Sequence, residues 1–180
     1  MSNKKNKVLE VATNLFIEKG FANTSISQIC DDANVSKGLI YHHFKSKNSI
    51  LIEIFSHMTL KMIEMNENLE PIKNPNKQLI NLINSIFLQL NQEKKIFQFN
   101  LNMIFQPTTR IILKEHIEKR ATVLYDSVKL IFDKISLERS EVLSYMFIAE
   151  IDGISLSYLS SFNKYPLELM KKELIKKYKN

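Results

Sequence analysis

Apolar residues recur along the chain at intervals of three and four, the spacing that lines them up on one face of an α-helix. Val8, Ala12, Leu15 and Phe16 form the first stripe and predict a helix over about 4–19 that stops at Gly20. A second helix is predicted from Ser25, because Ser25-Ile26-Ser27-Gln28 has the form of a capping box and Ile26, Ile29 and Ala33 then point inward. Asn34 supplies the turn, since asparagine tolerates the left-handed backbone conformation that most side chains avoid. Ser36 caps a third helix whose Ile40 and Phe44 face the core, leaving Leu39 and His42 outward.

Ser46 opens a long fourth helix through Ile50, Leu51, Ile54, Phe55, Met58, Met62 and Met65 toward Leu69. Pro71 and Pro75 mark the clearest break in the chain. Beyond them, periodic stretches predict helices near 77–91, 94–106, 109–134, 137–162 and 166–178. The fold class expected is therefore all-α. Only three glycines and four prolines in 180 residues argue the same way, against a many-turned β architecture and against glycine-rich phosphate loops. Internal repeats and low-complexity tracts are absent from the sequence.

Composition, with 44% hydrophobic and 24% charged residues, is that of an ordinary globular protein. The single cysteine, Cys30, excludes an intramolecular disulfide, fits a reducing cytoplasm and reads as a small buried residue rather than a redox sensor. The basic start Met-Ser-Asn-Lys-Lys leads into an amphipathic helix instead of an export signal, and no uninterrupted apolar run approaches the ~20 residues that span a bilayer. A cytoplasmic chain with no membrane partner is expected.

A formal charge of +6 and a pI near 9.3 suit a polyanionic partner, and the placement of the charges indicates where. Glu10, Glu18, Asp31 and Asp32 fall on the first two helices, whereas residues 36–47 hold Lys37, Lys45 and Lys47 and no acid. Two short helices joined by a tight turn, the second capped by serine and facing outward with polar groups, meet the requirements of a helix-turn-helix that enters the major groove. By contrast, the lysines at 171, 172, 176, 177 and 179 alternate with Met170, Leu174, Ile175 and Tyr178, and so read as the solvated face of an amphipathic helix.

Leu15-Phe16-Ile17-Glu18-Lys19-Gly20-Phe21, Thr24-Ser25, Ile29, Ala33-Asn34-Val35-Ser36-Lys37-Gly38 and Ile40-Tyr41-His42-His43-Phe44-Lys45-Ser46-Lys47 together resemble the DNA-binding domain of the TetR family of transcriptional regulators. The one departure is Asn34, where the family often has glycine. The resemblance implies a helix-turn-helix DNA-binding domain over 1–48 and a ligand-binding and dimerisation domain over 49–180. It implies that Ser36 and Lys37 meet phosphate at the recognition-helix start, that Gly38 lets the backbone come close, and that Tyr41 contacts phosphate. Leu39 matches the variable outward position and can touch a thymine methyl, and His42, one turn on, can bond a base or phosphate. His43 is either partly packed or DNA-facing. Lys47 would add an ammonium beside the positive N-terminal dipole of the next helix, and Ser25 and Ser27 complete the expected DNA-facing set.

Past Pro75 the resemblance is architectural. Phe87, Phe97, Phe99, Met103, Phe105, Tyr125 and Met146 are candidates to line an apolar cavity or to fill the core, with Phe87, Phe97, Met103, Tyr125 and Met146 taken as the ligand-binding set. Ala149, Gly153 and Ser157, four apart, form a small-residue strip suited to close helix approach and are the expected dimer contacts. Glu150 and Asp152 stand out in the apolar run 146–159, as ligand-orienting or interface acids or as capped or paired ones.

The function expected is a repressor that binds an inverted-repeat operator as a homodimer and is released by a mostly apolar small molecule, with no cofactor. Two readings compete: an enzyme assembled from scattered bundle residues, and a constitutive DNA-binding protein without an effector. His57 and His116 lack short-spaced metal-ligand partners, and no nucleophile elbow, Walker loop or dinucleotide fingerprint is present. A ligand-induced change in DNA affinity separates the constitutive reading from the regulated one.

Overall fold

The computed structural model describes residues 3–67 and 74–179, and within them the chain is helix and connection with no strand. The predicted helix end at Leu69 and the break at Pro71 lie outside the described residues. In chain order the helices are α1 (Asn3–Lys19), α2 (Ile26–Ala33), α3 (Lys37–His43), α4 (Lys47–Glu67), α5 (Pro75–Gln92), α6 (Lys94–Phe105), α7 (Pro107–Ile135), α8 (Ser140–Leu156) and α9 (Leu167–Lys179). A short 3-10 turn, Leu137–Arg139, leads into α8, and a π-helical segment, Ser157–Ser161, follows it.

The chain forms two compact units, Met1–Leu60 with Asn102–Ile117, and Lys61–Leu101 with Glu118–Asn180. The first extends past residue 48 because α4 commits Ile50, Leu51, Ile54 and Phe55 to burial in its opening turns. In this unit α1, α2 and α3 touch one another pairwise, and Val8, Ala12, Phe16, Ile29, Ala33, Ile40 and Phe44 are buried. Gly20 stops α1 at φ +80, a left-handed conformation in which a Cβ is strained, with its N–H on the Phe16 carbonyl at 3.1 Å.

In the second unit α5 packs along α9. Leu79, Ile83 and Phe87 of α5, Val128, Ile131 and Phe132 of α7, Phe147 and Ile154 of α8, and Leu167 and Leu174 of α9 form one core. Phe132, Phe147 and Tyr178 form a mutual aromatic cluster with centroids 5.5–6.0 Å apart. The Glu150 carboxylate accepts from the Tyr178 hydroxyl at 3.1 Å and from the Lys177 ammonium, which fastens α9 to α8. Burial and that carboxylate push the Tyr178 hydroxyl well above the ordinary phenol range. Glu150 is thus a paired acid.

Several helix starts differ from expectation because proline occupies the first helical position, where its missing N–H costs nothing. Pro75 begins α5 behind an Asn74 cap whose Oδ1 accepts from the Lys77 N–H at 3.1 Å, and Pro107 begins α7. The segment Leu137–Ser161 is long and, on average, apolar enough to cross a membrane, although Glu138, Arg139, Glu141, Glu150 and Asp152 interrupt its apolar run. Its Glu150 is tied to α9 and its Phe147 and Ile154 sit in the core, while Val142, Tyr145, Met146 and Leu156 are exposed.

Phe132 is 1% exposed and touches both other rings of the cluster, so Phe132→Ala leaves a cavity in the middle of the second unit. A loss of about 3–5 kcal/mol is expected. Urea unfolding measures it, and an unchanged midpoint contradicts the assignment of this cluster as the core.

Candidate functional site

The turn from α2 to α3 is built by local chemistry. Ser25 caps α2 with its Oγ accepting the Gln28 N–H at 3.2 Å, while the Gln28 side chain accepts the Ser25 N–H at 2.8 Å. Asn34 ends α2 in the left-handed region at φ 53, ψ 55, and the Val35 N–H reaches back to the Cys30 carbonyl at 3.0 Å. Two residues after Asn34 the Ser36 Oγ accepts the Leu39 N–H at 3.2 Å and starts α3. Ile40 and Phe44 are buried, which fixes the face of α3 that turns outward.

On that outward face Lys37, Gly38, Tyr41 and His42 are exposed, Tyr41 by 56%. Ser25 and Ser36 are exposed beside them, Ser27 and His43 are half-buried, and the His42 and His43 rings meet edge to face at 4.9 Å. Leu39 is half-buried rather than fully outward. A Cβ on Gly38 would meet only the Ser36 Oγ at 3.8 Å, an ordinary contact, so nothing within the chain requires glycine there.

Lys47 departs from expectation. Its ammonium donates to the carbonyls of Phe21 at 2.7 Å, Thr24 at 2.7 Å and Ala22 at 3.3 Å, and stands 4.4 Å from the Phe21 ring centroid. An ammonium has three N–H bonds. All three are accounted for by backbone, and partial burial lowers its pKa from the ordinary lysine value. The side chain clamps the α1–α2 connection to the start of α4 instead of projecting toward solvent.

The second unit holds a cavity of about 560 Å³, within the range of small-molecule sites. Its walls come from α4 (Met62, Ile63), α5 (Leu82, Ile86), α6 (Phe97, Leu101), α7 (Leu124, Val128, Ile131) and α8 (Phe147, Ile148, Ile151), with Leu159 of the π segment. Of the expected ligand set, Phe97 alone lines it. Phe87 is buried in the core of the same unit, and Met103 belongs to the first unit. Tyr125 lies against Tyr145 at 4.7 Å, and Met146 is 44% exposed. None of these four is among the residues that line the cavity.

Polar groups missed from sequence line the same space. Arg120 donates to the Asn100 Oδ1 at 2.9 Å and experiences the opposite charge of Asp152, while Gln78 presents a buried Oε1 with no hydrogen-bond partner among the described residues. Burial lowers the Arg120 pKa and raises that of Asp152, and their mutual attraction opposes both shifts. For Asn100 the only signal was its place among amides that alternate with apolar residues in Phe97-Gln98-Phe99-Asn100-Leu101; for Gln78 and Arg120 there was none.

Residues 8–54, which span most of α1, all of α2 and α3 and the start of α4, match the family model described as bacterial regulatory proteins, tetR family. The α1–α4 segment thus matches the DNA-binding region of the TetR family of transcriptional regulators. End to end it is 26% identical to YerO, an uncharacterized HTH-type transcriptional regulator of Bacillus subtilis, of which it spans 56%. The helix-turn-helix region is 41% identical over 54 residues, 30% of this chain and 29% of the relative, to the regulator QacR of Staphylococcus aureus. A transcriptional regulator of Aquifex aeolicus shares the fold at TM-score 0.72 and 26% identity, with 98% of each chain covered. The chain thus spans about half the length of the curated relative it matches throughout, and a smaller share of QacR.

Removing the Lys47 ammonium leaves three carbonyls without their donor. Lys47→Met is expected to destabilise the first unit by about 1–3 kcal/mol, the cost of hydrogen bonds to a charged group. Lys37→Met, with an exposed and uncommitted stem, should leave the unfolding midpoint where it is. Parallel thermal melts test the contrast, and equal melting temperatures for the two variants would sink the clamp.

Proposed function

We propose that this chain is a non-enzymatic, DNA-binding repressor of the cytoplasm that holds an inverted-repeat operator as a homodimer and leaves it when a small molecule fills the second-unit cavity. The observation that carries the reading is α3: a serine-capped helix presenting Lys37, Gly38, Tyr41 and His42 to solvent in a segment free of acids. In this reading residues 1–48 bind DNA and residues 49–180 bind effector and dimerise.

Ser36, Lys37 and Tyr41 take phosphates, with Ser25 and Ser27 alongside, while Gly38 admits the sugar-phosphate backbone. Leu39, His42 and the half-buried His43 are left for base edges and neighbouring phosphates. Lys47 acts at one remove, by holding the frame on which α3 sits.

Dimerisation is proposed along α8, where Val142, Tyr145, Met146, Ala149, Gly153 and Leu156 are all exposed at helical spacing, with half-buried Ser157 one turn past Gly153. A row of that kind is an apolar surface suited to its own symmetry mate. Effector control then obeys linkage: a ligand that weakens operator binding tenfold must itself be bound tenfold more weakly by the operator complex.

Fluorescence anisotropy against salt provides the test. Specific binding to an inverted repeat is expected to fall steeply with salt, and Lys37→Ala to weaken all duplexes with a salt slope smaller by about 1. His42→Ala should change base preference. Absence of any preference for an inverted repeat over random duplex would end this reading.

Gly153 offers an independent test, because a Cβ built on it meets nothing within 4 Å in its own chain. Gly153→Leu should therefore fold normally yet hold two copies apart, giving a monomer in analytical ultracentrifugation and a large loss of operator affinity. A folded dimer would remove Gly153 from the interface.

A further inference from the structure

The cavity in the second unit has a polar inventory that sorts candidate ligands by charge. Most of its lining is aliphatic, so the body of the ligand is apolar. Of its lining cations, Arg120 is already engaged by the Asn100 Oδ1 at 2.9 Å and by the charge of Asp152. Asn100 is itself 6% exposed, so this arrangement is part of the wall. Lys134 also lines the cavity but is exposed, where water screens it; Asp152 is exposed over much of its surface too, but the part of it that faces Arg120 is desolvated.

An anionic ligand would have to compete with Asp152 for Arg120, and a cationic one with Arg120 for Asp152. Either would bring an uncompensated charge into a mostly apolar space. One group in the lining stands outside this balance. Among the described residues the buried Gln78 Oε1 has no donor, and buried acceptors are paired in the great majority of native structures.

Resting on the reading of this cavity as the effector site, we infer that the ligand is an uncharged amphiphile, a mostly aliphatic molecule whose hydroxyl or N–H donates to the Gln78 Oε1. A donor in that position satisfies the orphan acceptor at no electrostatic cost. A ligand of the same shape without a donor seals the acceptor away from any partner, and a site of that kind discriminates against it.

Four ten-carbon probes separate the possibilities: 1-decanol, decyl methyl ether, decanoate and decylammonium, each titrated calorimetrically into the full chain and into Gln78→Leu. The expected result is that 1-decanol binds about tenfold more tightly than the ether and more tightly than either ion, and that Gln78→Leu abolishes the preference for alcohol over ether while still binding both. Equal or tighter binding of decanoate or decylammonium overturns the inference, as does an alcohol preference that survives Gln78→Leu, an ether equal to the alcohol in the unaltered chain, or no binding by any probe. Operator affinity measured on the same samples keeps the two readings apart. The expected probe order with unchanged DNA binding supports the ligand class and overturns the role of the cavity as effector site.

Discussion

Three carbonyls from the α1–α2 connection converge on the ammonium of Lys47, at the first position of α4, and the arrangement of the helix-turn-helix depends on that convergence. Phe21, Ala22 and Thr24 precede α2, and Lys47 follows α3, so the lysine closes a loop around both short helices. Helices of eight and seven residues are too short to be stable in isolation. Their stability has to come from packing and from fixed ends. Thr24 contributes at the same place, donating its hydroxyl to the Gly20 carbonyl at 2.9 Å while it lies almost wholly buried. The Lys5 ammonium pairs with Glu53, which adds a second tie between α1 and α4.

The same cluster marks the boundary of what could be read from sequence. Capping at Ser25 and Ser36 and the left-handed turn at Asn34 were legible because each is decided by residues within three or four positions of one another. The backbone contacts of Lys47 are not legible in sequence, for the complementary reason. A dipole argument considers only the helix to which the lysine belongs, whereas its partners lie 23 to 26 positions earlier and are brought near by the packing of α1 and α2. Helix number and order were likewise legible from periodicity, and the proline starts of α5 and α7 shifted boundaries by about two residues without altering the order.

The cavity was legible only in kind. A supply of Phe and Met at helical spacing announces apolar interior, but whether a given ring meets a void or fills the core depends on the rotation of its helix against several others. Phe87 and Phe97 illustrate the point: ten residues apart, both aromatic, one buried at 1% exposure in the core and the other on the cavity wall. The polar lining was less visible still, because Gln78, Asn100 and Arg120 come from three different helices and share no motif. Sequence patterns encode the hydrophobic face of each helix. They do not encode which amides the assembled faces will enclose.

Glycine placement separates what the chain requires for itself from what it keeps for others. Of its three glycines, Gly20 alone has a backbone conformation that demands one, at φ +80. Gly38 and Gly153 lie inside helices, where glycine costs about 1 kcal/mol against alanine, and neither has a neighbour that a methyl group would displace. That cost has no return within a single chain. Both residues are exposed, one on the outward face of α3 and the other on the open apolar face of α8. A bare backbone at an exposed helical position is useful where another surface must come closer than a side chain permits. In the proposed function that surface is the DNA backbone for Gly38 and a second copy of α8 for Gly153, so the two positions at which helix stability is given up coincide with the two surfaces through which the proposed dimer would work.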